Sequence, residues 1–139
     1  MKRRRKGFTL VEILVVIVII TMLATLIVPK IGRQLSKAKV KLTETGIALI
    51  ETSLQEFLME CGRYPTQSDG GLEALYIAPP DLVEVWDGPY IDSKKLIDPW
   101  GYFYLYQYPS MVSNDEYDIF SLGADGQPGG EGPDADIYN

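Results

Sequence analysis

The chain has 139 residues, 13 Lys plus Arg against 19 Asp plus Glu, a formal net charge of -6, one Cys and no His. That length holds one compact domain with room for an appendage. The missing His excludes His-based triads and His-ligated metals, the lone Cys excludes an internal disulfide or a Cys-cluster zinc site, and the acidic balance excludes wrapping nucleic acid.

The charge is unevenly laid out. Lys2, Arg3, Arg4, Arg5 and Lys6 form a basic tip, whereas from Tyr64 onward only Lys94 and Lys95 face fourteen acidic residues. Between these ends lies an apolar run, Phe8–Val28, of 21 residues with a single charge, Glu12. About 20 residues of helix cross the hydrocarbon of a bilayer, and in lipid only a helix satisfies its own backbone. The run predicts a single membrane-spanning helix, its basic end cytoplasmic and the remainder outside. A secretory signal peptide fits less well. The run exceeds the usual signal core of about 7–15 residues, carries a carboxylate near its start, and is followed by Pro29-Lys30-Ile31 rather than a small-x-small cleavage site. A carboxylate in lipid costs on the order of 2.5–3.5 kcal/mol at mid-helix and less near the interface. Glu12 is therefore either a headgroup-level residue or a paired, functional one.

Lys6-Gly7-Phe8-Thr9-Leu10-Val11-Glu12, followed by the apolar run, resembles the leader of type IV pilins and pseudopilins. The resemblance implies a leader over 1–7 cut after Gly7 by a prepilin peptidase, N-methylation of the new terminal Phe8, and a transmembrane and assembly helix over 8–28. Cleavage removes the five leader cations and leaves an amine on Phe8. In a stack of subunits Glu12 is expected to pair with that amine on a neighbour, favouring one axial register.

Pro29 removes a helix hydrogen bond and clashes with the preceding turn, and Gly32 adds looseness, so a kink or local melting is expected there, with the helix resuming near residues 31–33. Pro29 reads either as a hinge for packing in a fibre or as the exit from the membrane. Ile47, Ile50, Leu54, Phe57 and Cys61 then recur at steps of three and four, a stripe that Ile31, Leu35, Ala38 and Leu42 prolong backwards. This predicts an amphipathic stalk helix over 29–62, weakened at Gly46 by about 1 kcal/mol and stopped at Gly62. Cys61, on the stripe, is expected as a small buried hydrophobe.

The remainder, 63–139, supplies the stripe's partner. Pro65, Gly70-Gly71, Pro79-Pro80, Gly88-Pro89 and Pro99 mark a long loop with at most a short helix at 71–76. Tyr102–Tyr108 and Tyr117–Leu122 read as two antiparallel strands joined by a turn over 109–116. Their aromatic residues are expected to pack across strands rather than to bind sugars or bases. The fold class is α+β: a long N-terminal helix, half transmembrane and half amphipathic, on a small antiparallel sheet.

Arg63-Tyr64-Pro65-Thr66, Asp98-Pro99-Trp100-Gly101 and Phe120-Ser121-Leu122-Gly123-Ala124-Asp125-Gly126 are similar to the major pseudopilins of the type II secretion system. This implies a type IV pilin-like fold and a structural, non-enzymatic subunit. It would polymerise as a homopolymer, the periplasmic pseudopilus, and drive export of folded proteins across the outer membrane. The implied partners are minor pseudopilins, the prepilin peptidase and the inner-membrane assembly platform. A type IV pilin or minor pilin for adhesion, motility or DNA uptake is the alternative.

The segment Leu122–Ile137 is rich in glycine and carries Asp125, Glu131, Asp134 and Asp136. Composition alone reads as a solvated loop, and the spacing is not that of an EF-hand. An anchored enzyme using Asp125, Asp134 or Asp136 as acid–base pairs is a poor reading, since no pocket-forming residues stand beside them. The resemblance implies a calcium loop, with Asp125 and Asp136 as side-chain ligands, Asp134 as a weaker one, and the Leu122 and Gln127 carbonyls as backbone ligands.

Overall fold

In this computed structural model residues 7–139 are described, with the side chains of residues 26–31 outside the description; the basic leader residues Lys2–Lys6 and the side chain of Pro29 therefore lie outside the described residues. One helix, α1, spans Leu10–Cys61. The helix runs on without interruption through 29–32, so the expected local melting is not found. A proline's fixed φ is itself helical, and it forfeits a single backbone bond. The chain forms two units, residues 7–36 and 37–139.

In the first unit every described residue from Gly7 to Thr25 is exposed, including Phe8, Leu10 and Leu23. The two polar interruptions return their hydroxyls to the helix: Thr21 donates to the Ile17 carbonyl at 2.8 Å and Thr25 to the Met22 carbonyl at 2.7 Å. They therefore need no water or partner, as a helix in an apolar environment requires. Among the described residues no helix is long and apolar enough to cross a membrane.

In the second unit α1 presents the expected stripe. Ile47, Ile50, Leu54 and Phe57 are buried, with Cys61 half-buried at the margin. They pack with Leu72, Ala74, Leu75, Ile91, Leu96, Tyr104, Tyr117 and Ile119 into one core. The backward extension of the stripe is not covered, since Leu35 and Leu42 are exposed. Gly62 ends the helix at φ 74, the left-handed turn that favours glycine, its N–H donating to the Leu58 carbonyl at 2.9 Å.

The loop after α1 holds three short 3-10 turns, Gln67–Asp69, Gly71–Leu75 and Ser93–Leu96. Arg63 pins its start, donating to Asp69 from both Nη1 and Nη2 and to Asp81 from Nη2 at 2.8 Å. The Arg63 hydrogen bond holds the Asp69 carboxyl well below its ordinary range. The sheet has three strands rather than two, ordered β1 (Leu105–Gln107), β2 (Asp118–Ser121) and β3 (Ile137–Tyr138), all antiparallel. β1 is shorter than the aromatic run predicts. Its upstream part is a turn in which Ile97 bridges Phe103 and the Asp98 N–H donates to the Tyr102 carbonyl at 2.7 Å.

Gly46 has a use that periodicity does not show. A Cβ there would lie 2.2 Å from the hydroxyl of Tyr104, which is buried and donates to the Thr43 carbonyl at 3.3 Å. The glycine is the seat that lets Tyr104 press against the helix, and its propensity cost purchases that contact.

Candidate functional site

Two regions carry the predicted functional residues. At the start of α1, Gly7 and Phe8 precede the helix, and Phe8 is 83% exposed. Thr9 and Glu12 form a capping box. The Thr9 N–H and hydroxyl donate to the Glu12 Oε2 at 2.9 and 3.0 Å, and the Glu12 N–H donates to the Thr9 hydroxyl oxygen at 3.2 Å. Glu12 thus stabilises its own helix end. The Thr-x-x-Glu spacing is the sequence signal for this, and the reading of Glu12 as a pairing charge overlooks it.

The acidic loop follows β2 and folds back on itself. The Ala124 N–H donates to the Pro133 carbonyl at 3.0 Å. Gly123 takes φ 70, and a Cβ there would sit 2.8 Å from the Ala135 carbonyl oxygen, so the two limbs touch through backbone. Asp125, Asp134 and Asp136 thereby lie along one closed loop. Asp125 is exposed and accepts from the Gln127 N–H at 3.0 Å; Gln127 is itself exposed and Leu122 half-buried. Asp136 accepts from the Gly129 N–H at 2.9 Å through Oδ2, while its other oxygen, Oδ1, is buried without a hydrogen-bond partner. Burial, and then the adjacent Asp136 charge, push the Tyr138 hydroxyl above its ordinary pKa. Among the described residues no three His, Cys, Asp or Glu side chains are grouped to hold a metal ion.

What holds the loop comes from a distant turn. Ser121 donates to the buried Asp98 Oδ2 at 2.6 Å, and the Gly123 N–H donates to the Ser121 hydroxyl oxygen at 3.2 Å. Asp98 Oδ1 also accepts from the Trp100 and Tyr102 N–H groups, each at 2.9 Å. The Tyr102 ring lies against Gly126, where a Cβ would be 2.8 Å away. On the far edge Asn139 pairs with Ile119, accepting from its N–H at 2.9 Å and donating its own N–H to its carbonyl at 3.0 Å. Sequence reasoning singled out the Asp98-Pro-Trp-Gly and Ser-Leu-Gly-Ala-Asp-Gly blocks separately, with no signal that one serves as the anchor of the other.

A profile described as type II secretion system (T2SS), protein G, matches residues 30–139. The chain belongs to this family. A second profile, the prokaryotic N-terminal methylation motif, matches residues 2–28, where the leader pattern lies. The type II secretion system core protein G of Vibrio cholerae is 44% identical over 144 residues, covering 100% of this chain and 95% of the relative. That of Pseudomonas aeruginosa is 38% identical over 140 residues, covering 99% of this chain and 96% of the relative. Among solved structures, the major pseudopilin from the type 2 secretion system of enterohaemorrhagic Escherichia coli superposes with a TM-score of 0.58. It is 34% identical, with 74% of this chain and 87% of that one covered. The family and the pilin-like fold agree with the expectation, and the adhesive or minor pilin alternative is not favoured.

Proposed function

We propose that the chain is the structural subunit of a pseudopilus in a type II secretion system, and that it polymerises through its N-terminal helix. The observation that carries this reading is the uncovered apolar surface from Leu10 to Leu23, which nothing in its own unit shields. Apolar patches of such extent mark membrane or protein contacts. On this reading the helix is stored in the inner membrane with the globular unit in the periplasm, a prepilin peptidase cuts after Gly7, and Phe8 is methylated. Minor pseudopilins and the assembly platform are its companions, and no reaction is assigned to it. Pro29 is the hinge or membrane exit of the helix. N-terminal mass analysis of the mature protein tests the processing: a chain beginning at methylated Phe8 is expected, and one retaining Met1 refutes it. Deleting the gene should abolish exoprotein release; intact release with lost adhesion or twitching would favour a pilin instead.

The loop's proposed ligand is calcium. Supporting it are the unpartnered buried oxygen of Asp136, a donor set of hard carboxylate and carbonyl oxygens, and glycines that let the backbone turn inward. Asp125 and Asp136 would supply side-chain oxygens, Asp134 a weaker one, and Leu122 and Gln127 carbonyls. Backbone oxygens would complete the shell beside these side chains. A bound ion would neutralise the loop's acids and stabilise the fold by mass action.

A further inference from the structure

Within residues 37–139, two flanks of the globular unit are opposite in charge and both carry uncovered apolar groups. On one flank Leu42, Thr45, Gly46 and Leu49 of α1 line a groove of about 470 Å³ with Ile97, rimmed by Lys94 and Lys95; the acid in its lining, Asp98, is buried and has its carboxylate taken up by Ser121, Trp100 and Tyr102. Leu42 is 60% exposed and Lys94 and Lys95 are both exposed. These lysines are the only cations from Tyr64 to Asn139. On the other flank Glu51 and Gln55 of α1 line a second recess with Asp115 and Glu116, and no cation is among its lining residues. The turn that supplies Asp115 and Glu116 also displays Met111, 81% exposed, and Val112, 68% exposed.

That turn is firmly built. Asp118, fully buried, accepts from the N–H groups of Met111, Val112 and Ser113 at 2.8, 3.0 and 3.1 Å and from the hydroxyls of Ser110 and Ser113 at 2.7 Å each. Two apolar side chains are thus held out in water on a fixed backbone, a preorganised knob rather than a floppy tip.

The two flanks cannot meet within one molecule. At about 100° per residue, the Leu42/Thr45/Gly46/Leu49 line and the Glu51/Gln55 line are about 150° apart round α1, one to either side of the buried Ile47/Ile50/Leu54/Phe57 stripe. Each copy therefore offers both surfaces at once, facing away from each other. A contact of one kind of surface with the other is head-to-tail, and head-to-tail contacts that do not close generate filaments.

We propose that the occupant of the basic groove is a second copy of this chain: the Met111–Val112 knob enters the Leu42/Leu49/Ile97 groove of the neighbour, and Asp115 and Glu116 face its Lys94 and Lys95. The inference rests on the polymer reading and names the surface by which globular units join. Complementary charge sets the register while the apolar knob excludes water.

The test is charge reversal and repair in the full-length chain, expressed with the rest of its secretion machinery. K94E/K95E and D115K/E116K should each lower the yield of fibres about ten-fold, the effect of roughly 1.4 kcal/mol per contact. Combining all four should restore the yield to within about three-fold of wild type. Unchanged melting of each variant separates the contact from folding, since all four side chains are exposed. Wild-type yield from either reversal, or a combined variant no better than its parents, overturns the contact while leaving the subunit reading intact; a wild-type chain that forms no fibre overturns both. As an independent measurement, Cys61→Ser carrying Leu49→Cys and Val112→Cys should oxidise into a ladder beyond the dimer, because the contact is head-to-tail. Dimers alone, or no cross-link, refute it.

Discussion

Asp118→Asn isolates one buried charge. The carboxylate accepts five hydrogen bonds and is 0% exposed. Burial opposes its ionisation, but the bonds from Ser113, Met111, Ser110 and Val112 win and hold its carboxyl well below the ordinary 3.8. Asparagine keeps one acceptor oxygen for the Ser110 and Ser113 donors. It turns an NH2 toward the Met111 and Val112 N–H groups, which then have no acceptor. Two stranded donors at about 1–3 kcal/mol each, less some relaxation, give a loss of about 3–4 kcal/mol at pH 7. For a unit of roughly 100 residues this lowers Tm by about 12–25 °C. The pH dependence has a definite sign. A depressed folded-state pKa contributes stability that is fully present above the unfolded value and drains away as the solution is acidified below it. The gap between wild type and Asp118→Asn should therefore be constant from pH 5 to 7 and narrower by about 1 kcal/mol at pH 3. Urea denaturation of the detergent-solubilised chain at pH 7 and pH 3 measures both quantities. A variant within 1 kcal/mol of wild type at pH 7, or a gap that does not narrow in acid, refutes the argument.

Gly46→Ala sets two effects against each other. Helix propensity favours alanine by about 1 kcal/mol, while a Cβ 2.2 Å from the buried Tyr104 hydroxyl forces overpacking that typically costs about 1–3 kcal/mol. Net destabilisation is expected, partly relieved by adding Tyr104→Phe, and a raised Tm for the single variant would contradict the packing argument. Glu12→Gln preserves the capping box while removing the charge, whereas Glu12→Ala removes both. Fibre formation should fail in both variants if the charge is what matters, and the glutamine variant assembling normally would leave Glu12 only its cap. Asp125→Ala should abolish the rise in Tm that added calcium gives the wild-type chain; an undiminished rise removes Asp125 from the ligand set.

Much of the fold was legible because it depends on near neighbours. A 21-residue apolar run, a stripe at 47, 50, 54 and 57, and a glycine at position 62 are local patterns that a helix reads directly. The Thr9–Glu12 cap is equally local, its two partners three residues apart. The weakness expected at Gly46 and the kink or local melting expected at Pro29 rest on propensity alone. Propensity has no knowledge of Tyr104, whose hydroxyl bonds a carbonyl 61 positions away.

The sequence by itself determined that this chain carries an apolar helix with one acid near its start and an amphipathic continuation, because periods of three and four need no information from afar. Only the tertiary structure decided that Asp98 anchors the acidic loop through Ser121, that Asp118 fixes the turn displaying Met111 and Val112, and that a third strand, Ile137–Tyr138, pairs with β2 and is followed by Asn139 bonded to Ile119. Those are pairings between residues separated in the chain, each made by one polar atom finding one partner as the core closes. A hydrogen bond of that kind leaves no period to read, since a buried carboxylate and an exposed one are written with the same letter.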